Sequence, residues 1–350
     1  MGNILVTGGC GFIGSNFIKY YLDKYKNLNI INLDKLTYAG NIMNLEGVSN
    51  SDYTFVNGDI CDANLVESLF KKYKFHTLVN FAAESHVDRS IDGPAAFINT
   101  NVLGTLNLLE QARKFYNSNR ISKNFRFIHI STDEVYGSLG RDGKFSEISR
   151  FNPNSPYSAS KASSDHLVKA WYRTFGLPTL ITNCSNNYGP FQFPEKLIPL
   201  TIINCLENKK LPIYGTGQNV RDWLYVKDHC AAIEKVIKKG SVGETYNIGG
   251  LNEIKNIDIV KRICRILDKT IPNSNGSSYQ ELVTYVEDRP GHDHRYAVDI
   301  NKIKNNLGWS PEESFDTGIK KTIEWYLENK SWWRGLKKKY NQQRLGLVSK

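Results

Sequence analysis

The run Ile4-Leu5-Val6-Thr7-Gly8-Gly9-Cys10-Gly11-Phe12-Ile13-Gly14 decides the fold. A short apolar segment ends in a cluster of glycines, and the pattern then turns helical through residue 25. A strand that feeds a glycine turn and a helix opens a βαβ unit. Gly8, Gly11 and Gly14 are spaced GxxGxxG, a variant of GxGxxG that still puts three glycines on one turn. Backbone stripped of side chains there can approach a pyrophosphate at the positive end of the helix. The next apolar run, residues 29–33, ends at Asp34, 20 residues past Gly14. A carboxylate at that strand end accepts hydrogen bonds from an adenosine ribose and repels a 2′-phosphate, so the expected dinucleotide is NAD rather than NADP. Asp59 and Ile60 follow the third run, and Phe81, Ala82 and Ala83 the fourth. Those are further carboxyl ends of strands, where sheets of this kind bind ligands.

Outward from this stretch the alternation continues. Apolar runs at 53–56, 77–81, 125–130 and 179–182 alternate with amphipathic patterns at 13–25, 65–73, 95–115 and 159–175. The pattern predicts an α/β fold, a Rossmann-type doubly wound parallel sheet covered on both faces. After about residue 185 the rhythm breaks at Pro190, Pro194, Pro199 and Pro212. Short strands at 223–226 and 245–248 and helices at 226–239, 257–267 and 315–327 are expected there. We therefore expect an NAD-binding domain over 1–185, with about 222–250 returning to it. A smaller, interleaved α/β substrate domain is expected over 186–330, and a basic tail over 331–350.

With 350 residues, 40% hydrophobic and 12% aromatic, the chain can bury a sizeable core, which excludes disorder. No apolar stretch is long enough to span a membrane, and the N-terminus lacks the regions of a signal peptide, so a soluble cytoplasmic protein is expected. The six cysteines form no CxxC pair and are expected to be reduced thiols; no metal site is expected. Of the net charge of +10, seven charges fall in residues 330–350, which hold no acid. A solvated terminus is the expectation for this tail, and nucleic acid is not an expected partner.

Tyr-x-x-x-Lys occurs three times, at Tyr20/Lys24, Tyr157/Lys161 and Tyr326/Lys330, so spacing alone selects none of them. Only Tyr157 begins a helix after the fifth strand, behind a proline-rich entry at residues 153–156. One helical turn puts Lys161 on the same face, where an ammonium, together with the cationic nicotinamide, favours the phenolate. Such a phenolate can take a sugar hydroxyl proton while hydride leaves the same carbon. The fifth strand ends in Thr132-Asp133-Glu134. Thr132 can hold the reacting oxygen, and two adjacent carboxyls in different environments suit an acid/base elimination. Neighbouring strand residues point to opposite faces, but that constraint relaxes where a strand enters a loop, so both acids can face one cleft.

Together, VTGGCGFIG, DKLTYAGN, AAESHVDRS, STDEVYG, PYSASKASSDH, NCSNNYGPFQFPEKLIP, RDWLYVKDH, YNIGG and DRPGHD resemble the NAD-dependent epimerase/dehydratase family of the extended short-chain dehydrogenase/reductases. The resemblance runs from Ile4 to about Trp332 and is nearest to the nucleotide-sugar 4,6-dehydratases. Epimerases have small residues after the catalytic hydroxyl. Decarboxylases and GDP-mannose dehydratases resemble a Thr-Ser-Glu pattern, so Asp133 carries the discrimination. The resemblance implies a lyase acting on dTDP-glucose, with UDP-glucose, or 4-epimerisation or decarboxylation, as alternatives. Tyr157 would deprotonate the C4 hydroxyl, tuned by Lys161; Thr132 would bind the C4 oxygen; Glu134 would remove the C5 proton; and Asp133 would protonate the C6 hydroxyl. NAD, tightly held and regenerated each turnover, would meet Gly8, Gly11, Phe12, Ile13, Gly14, Asp34, Lys35, Leu36, Thr37, Asp59, Ile60, Ala82, Ala83, Ser85, Thr100, Tyr157, Lys161 and Asn187. The sugar nucleotide would meet Ser85, Thr132, Asn186, Lys196, Leu197, Pro212, Ile213, Tyr214, Arg221, Asn256, Arg289 and His292. The two arginines suit a diphosphate, which guanidinium groups pair bidentately. A homodimer packed through the helices at 95–115 and 159–175 is also implied.

Overall fold

The structure, a computed structural model, describes residues 2–48, 51–118 and 124–337. Its first half runs β1 (Gly2–Thr7), α1 (Phe12–Lys24), β2 (Leu28–Asp34), β3 (Tyr53–Asn57), α2 (Ala63–Tyr73), β4 (Thr77–Asn80), α3 (Val87–Asp92), α4 (Pro94–Phe97), α5 (Thr105–Ser118), β5 (Arg126–Thr132), α6 (Pro156–Phe175) and β6 (Thr179–Cys184). Then follow β7 (Asn186–Tyr188), α7 (Leu197–Leu206), β8 (Leu211–Tyr214), β9 (Val220–Tyr225), α8 (Val226–Lys239), β10 (Thr245–Ile248), β11 (Glu253–Lys255), α9 (Asn256–Thr270), β12 (Val283–Val286), α10 (Asn301–Leu307), α11 (Phe315–Glu328) and α12 (Lys330–Lys337).

Seven strands pair in the order β10-β6-β5-β4-β1-β2-β3, every pair parallel. The apolar continuity of the strands follows from this, because both faces are covered. Along β1, Ile4 and Val6 enter a core shared with α1 and α8, whereas Leu5 enters the opposite one, beneath α2 and α5. All seven strands therefore end on one edge, and the loops leaving β1, β2, β4, β5 and β6 meet there.

A separate core lies between α7, α9 and α11, with Trp223 and Tyr225 of β9. Above it sit a three-stranded sheet, β11-β9-β7, and the pair β12-β8. The chain returns to the first core twice: α8 leads into β10 beside β6, and Val298, Ile300, Ile303, Leu307 and Trp309 join the cluster that holds Ile4. β9 pairs with β7 and β11 instead.

Two expectations are corrected. The helix expected as one run over 95–115 is α4, a π-helical stretch at Ile98–Gly104, and then α5. Its wider turns are held by Asn101, whose amide brackets the backbone of Glu84 at 2.9 and 3.0 Å and donates to Ser160 Oγ at 2.8 Å. π-helical turns of this kind recur at functional sites.

The second correction concerns the basic tail. Residues 338–350 lie outside the described residues, but α12 is docked rather than solvated. Trp333 is 1% exposed and donates through Nε1 to Tyr326 O at 2.9 Å. Trp332 packs against Phe191 and Trp325 and donates to Asn44 Oδ1 at 2.8 Å. Lys337 pairs with Glu207. The three cations of α12, Lys330, Arg334 and Lys337, are matched by three apolar side chains, Trp332, Trp333 and Leu336, which one helical turn gathers on one face.

Trp332→Phe keeps the ring but leaves the buried Asn44 carbonyl unpaired. It should cost about 1–3 kcal/mol in urea unfolding. Trp333→Ala should cost about 3–5 kcal/mol. Unfolding midpoints unchanged in both variants would show that α12 adds nothing to stability.

Candidate active site

The β1–α1 turn is built by backbone approach. Gly8 has a φ of +71°, and a Cβ there would stand 2.6 Å from Ala82 N. A Cβ on Gly14 would stand 2.5 Å from Gly8 O. Gly11 N donates to Gly8 O at 3.2 Å, which closes the turn and leaves Gly11 as the N-cap of α1. Asn32 Oδ1 accepts from Gly9 N at 3.0 Å, and Asn44 Nδ2 donates to Cys10 O at 2.9 Å. Asp34 ties β2 to the same loop: its two oxygens accept from Cys10 N and Leu36 N, each at 2.8 Å. Burial raises the Asp34 pKa, and these two N–H groups oppose that. Lys35 Nζ lies 2.7 Å from Asp59 Oδ2. A bare-backbone cradle at a helix N-terminus, with a carboxylate at the next strand end, fits a dinucleotide.

The cradle is one wall of a cleft of about 310 Å³. Gly8, Gly11, Phe12, Ile13, Gly14, Asp34, Lys35, Thr37, Asp59, Ile60, Ala82, Ala83, Ser85, Thr100, Asn186, Asn187 and Lys196 line it, with Thr132, Asp133, Glu134, Tyr157 and Lys161. Leu36 is beside the cleft, with only its backbone N–H engaged by Asp34.

Local signals place Thr132, Asp133, Glu134, Tyr157 and Lys161. Ser155 caps α6 in a capping box with Ser158, and Pro156 opens the helix, so Tyr157 falls in the first turn with Lys161 one turn on. Thr132 ends β5 and caps a 3₁₀ turn, Asp133–Tyr136, by accepting from Glu134 N at 3.3 Å. The strand alternation stops at that turn, and both acids reach the cleft.

Burial divides the two carboxyls. Asp133 is pushed well above the ordinary carboxylate range by burial first, then by Glu134 and Asp222, against Arg221 and a hydrogen bond from Thr132. Its Oδ2 is buried without a hydrogen-bond partner. Glu134 is also raised by burial, but Arg289, Arg221 and Lys196 pull it back. One group is therefore held as an acid, and the other is kept nearer ionisation.

Tyr157 departs from expectation. Burial, then Glu134, raises its phenol well above the usual value, while a hydrogen bond with Thr132 lowers it. Lys161 Nζ donates to Ile130 O at 2.8 Å, so its charge stands one helical turn from Tyr157 without a direct hydrogen bond to the phenol.

The remaining second-domain residues lie beyond the cleft lining. Arg221 is buried over the Tyr296 ring and donates to Val220 O and Asp293 O at 2.8 and 2.9 Å. Arg289 pairs with Asp88 at 3.1 Å, and Tyr214 donates to the same carboxyl at 3.1 Å. His292 meets Asp288 at 2.6 Å, and burial lowers its pKa to about 4. Leu197 and Ile213 pack in the second core, Pro212 lies in β8, and Asn256 begins α9 with a buried, unpartnered Oδ1. Sequence reasoning missed Asp88, which joins the two halves, and the cleft-lining Tyr38, Glu84, Cys184, Gln192 and Phe193. A polar run such as Glu84–Arg89 gives no signal of which charge turns inward.

Known proteins bear on this site. The family model described as GDP-mannose 4,6 dehydratase matches residues 5–322. A probable dTDP-glucose 4,6-dehydratase of Sinorhizobium fredii is 54% identical over 353 residues, covering 99% of each chain. The crystal structure of dTDP-glucose 4,6-dehydratase from Bacillus anthracis in complex with NAD is 47% identical, with a TM-score of 0.86 over 96% of this chain and 100% of that one. The dTDP-glucose 4,6-dehydratase from Streptomyces venezuelae, solved with NAD bound, is 45% identical, with a TM-score of 0.87 over 95% and 99%.

The cradle makes a graded prediction. A Cβ on Gly11 would come no nearer than 3.3 Å to the protein, at Gly8 O, so Gly11→Ala should keep its melting temperature yet bind dinucleotide at least tenfold more weakly. Gly8→Ala should lose both stability and binding. Full dinucleotide binding by Gly11→Ala in titration calorimetry would refute the cradle.

Proposed function

The chain belongs to the GDP-mannose 4,6-dehydratase family of NAD-dependent epimerases and dehydratases, and on that footing we propose that it converts dTDP-glucose to dTDP-4-keto-6-deoxyglucose and water, with NAD as its cofactor. The observation that carries this reading is the pair Asp133 and Glu134, brought by one 3₁₀ turn to the cleft that holds Tyr157, with Arg289, Arg221 and Lys196 opposing the effect of burial on Glu134. An epimerase on this fold needs no such acid.

In this reading NAD lies along Gly8, Gly11, Phe12, Ile13 and Gly14, its ribose on Asp34, with residues 35–37, Asp59, Ile60, Ala82, Ala83, Ser85, Thr100 and Asn187 around it. Bound there, NAD would supply an acceptor for the C4 hydride, its return to C6, and the positive charge of a nicotinamide. Tyr157 takes the C4 hydroxyl proton, and Thr132 holds the C4 oxygen. The C4 carbonyl acidifies C5, and Glu134 removes that proton. The electron pair left at C5 forms the C5–C6 double bond and expels the C6 hydroxyl, which leaves as water with the proton of Asp133. Glu134 then returns its proton to C5. Tyr157 ends the turnover protonated and Asp133 deprotonated. Thr132, hydrogen-bonded to both, lies between them.

Arg221 and Arg289 take the substrate diphosphate, and the second domain, with Asn186, Lys196, Leu197, residues 212–214, Asn256 and His292, takes the sugar nucleotide. Thymine and uracil differ by one methyl, worth about 1–3 kcal/mol in a fitted pocket. We further propose a homodimer, supported by exposed Ile98 and Leu103 on the π-helical stretch and Tyr172 and Phe175 on α6. No helix among the described residues is long and apolar enough to cross a membrane. The free thiols and a nucleotide-sugar substrate support a cytoplasmic location. Nucleic acid has no place in this reading.

The purified protein, incubated with dTDP-glucose without added cofactor, should give a product lighter by one water in mass spectrometry, and UDP-glucose should react more slowly. Asp133→Asn should lose water release at least a hundredfold while C4 oxidation persists, seen as trapped NADH absorbance. Turnover of UDP-glucose alone would change the substrate, and no water loss from either sugar would overturn the reading.

A further inference from the structure

Behind Lys161, away from the cleft, lies a buried polar chain that the steps above do not use. Thr7 Oγ1 donates to Asn80 Oδ1 at 2.7 Å, so the Asn80 amide nitrogen faces His129 Nδ1 at 3.2 Å and can only donate to it. His129 Nδ1 therefore accepts, and the ring proton sits on Nε2. That atom is 3.3 Å from Ser164 Oγ, 3.4 Å from Lys161 Nζ and 3.5 Å from Asp165 Oδ1. The ring stays neutral, because burial, then Lys161, pushes its pKa well below the usual value.

Asp165 is fully buried one helical turn beyond Lys161. Its Oδ2 accepts from Ser131 Oγ at 3.0 Å and from Asn183 Nδ2 at 3.1 Å; its Oδ1 has no hydrogen-bond partner. A buried carboxyl so placed needs a cation, and a buried ammonium needs an anion. From β6, Cys184 also faces Lys161, but burial pushes its thiol up to about 12 and keeps it neutral. Asp133 and Glu134 act on Tyr157 rather than on Lys161. On the far side Asp165 meets Lys169 of its own helix and lies near the neutral Tyr136 phenol.

We propose that Asp165 is the counter-ion of Lys161: Ser131 and Asn183 fix it as a carboxylate, His129 Nε2–H spaces it from the ammonium, and it keeps Lys161 protonated. Asp165 touches neither substrate nor cofactor and is a positioning residue. The inference rests on the reading of Lys161 as a working cation beside Tyr157. Burial lowers Lys161 to about 8, with Asp165 the largest opposing influence, and Asp165 itself stands at about 6. Removing the carboxylate lowers the Lys161 pKa further, so the alkaline limb of activity moves to lower pH and the acid side stays.

The test is kcat for water loss from dTDP-glucose against pH, for wild type and Asp165→Asn, with melting temperature and bound NAD measured on both. The expected result is an alkaline limb displaced downward by about one unit. The rate at pH 8 then falls about fivefold while that at pH 6 stays within about threefold, and Asp165→Glu restores the limb. An unmoved limb, or an equal loss at every pH, overturns the inference. Should Asp165→Asn not fold, Ser131→Ala removes one hydrogen bond from the carboxylate and should displace the limb in the same direction by less; no displacement there also overturns it. A wild-type protein that releases no water defeats the functional reading and takes this inference with it.

Discussion

Everything at the cleft depends on how closely two backbones approach at Gly8. Its Cα lies against the start of the β4 loop at Ala82, and its carbonyl receives Gly11 N and lies under Gly14. No side chain fits in either contact. The turn is thereby pressed onto the sheet edge, and α1 points its N-terminus over the ends of β1, β4 and β5. Asp34 locks the turn from β2, and Asn44 from the following loop. Through Asn44 the same loop is reached by Trp332 of α12, so the last described helix braces the first turn of the fold.

The second constraint is electrostatic. The cleft end of β5 carries two adjacent carboxyls, and the opposite lobe brings Arg221 and Arg289 to them. In water the two acids would titrate almost alike. Here burial raises both, and the arginines act more on Glu134 than on Asp133. Neighbouring residues of nearly the same chemistry are shifted unequally because the low-dielectric protein amplifies a difference of a few ångströms. The same burial sets the problem of Lys161, a buried ammonium in the cleft wall with the Asp165 carboxylate behind it.

Much of this was readable in the sequence. The glycine turn, Asp34 at the next strand end, and the α6 entry at Ser155 and Pro156 are local signals, each acting within a few residues. The π-helical stretch was not readable, because it is set by Asn101 reaching Glu84 and Ser160 across the fold. The docking of α12 was masked by the basic run around it, since one turn of Trp332, Trp333 and Leu336 is a weak signal beside seven cations in residues 330–350. The inward turn of Asp88, which receives both Arg289 and Tyr214, depends on partners more than a hundred residues away.

The sequence by itself determined the parallel sheet, the dinucleotide turn and the helix start that carries Tyr157 and Lys161. These follow from apolar periodicity, from glycine's lack of a Cβ and from helix capping, all properties of neighbouring residues. Only the tertiary structure decided the ionisation of those side chains and the direction of their polar atoms. It turned Lys161 toward the Ile130 carbonyl rather than the phenol, separated Asp133 from Glu134, and put Asp165 and His129 behind them. The reason is physical: a pKa depends on the charges and the solvent within several ångströms in every direction, and most of those neighbours are distant in the chain.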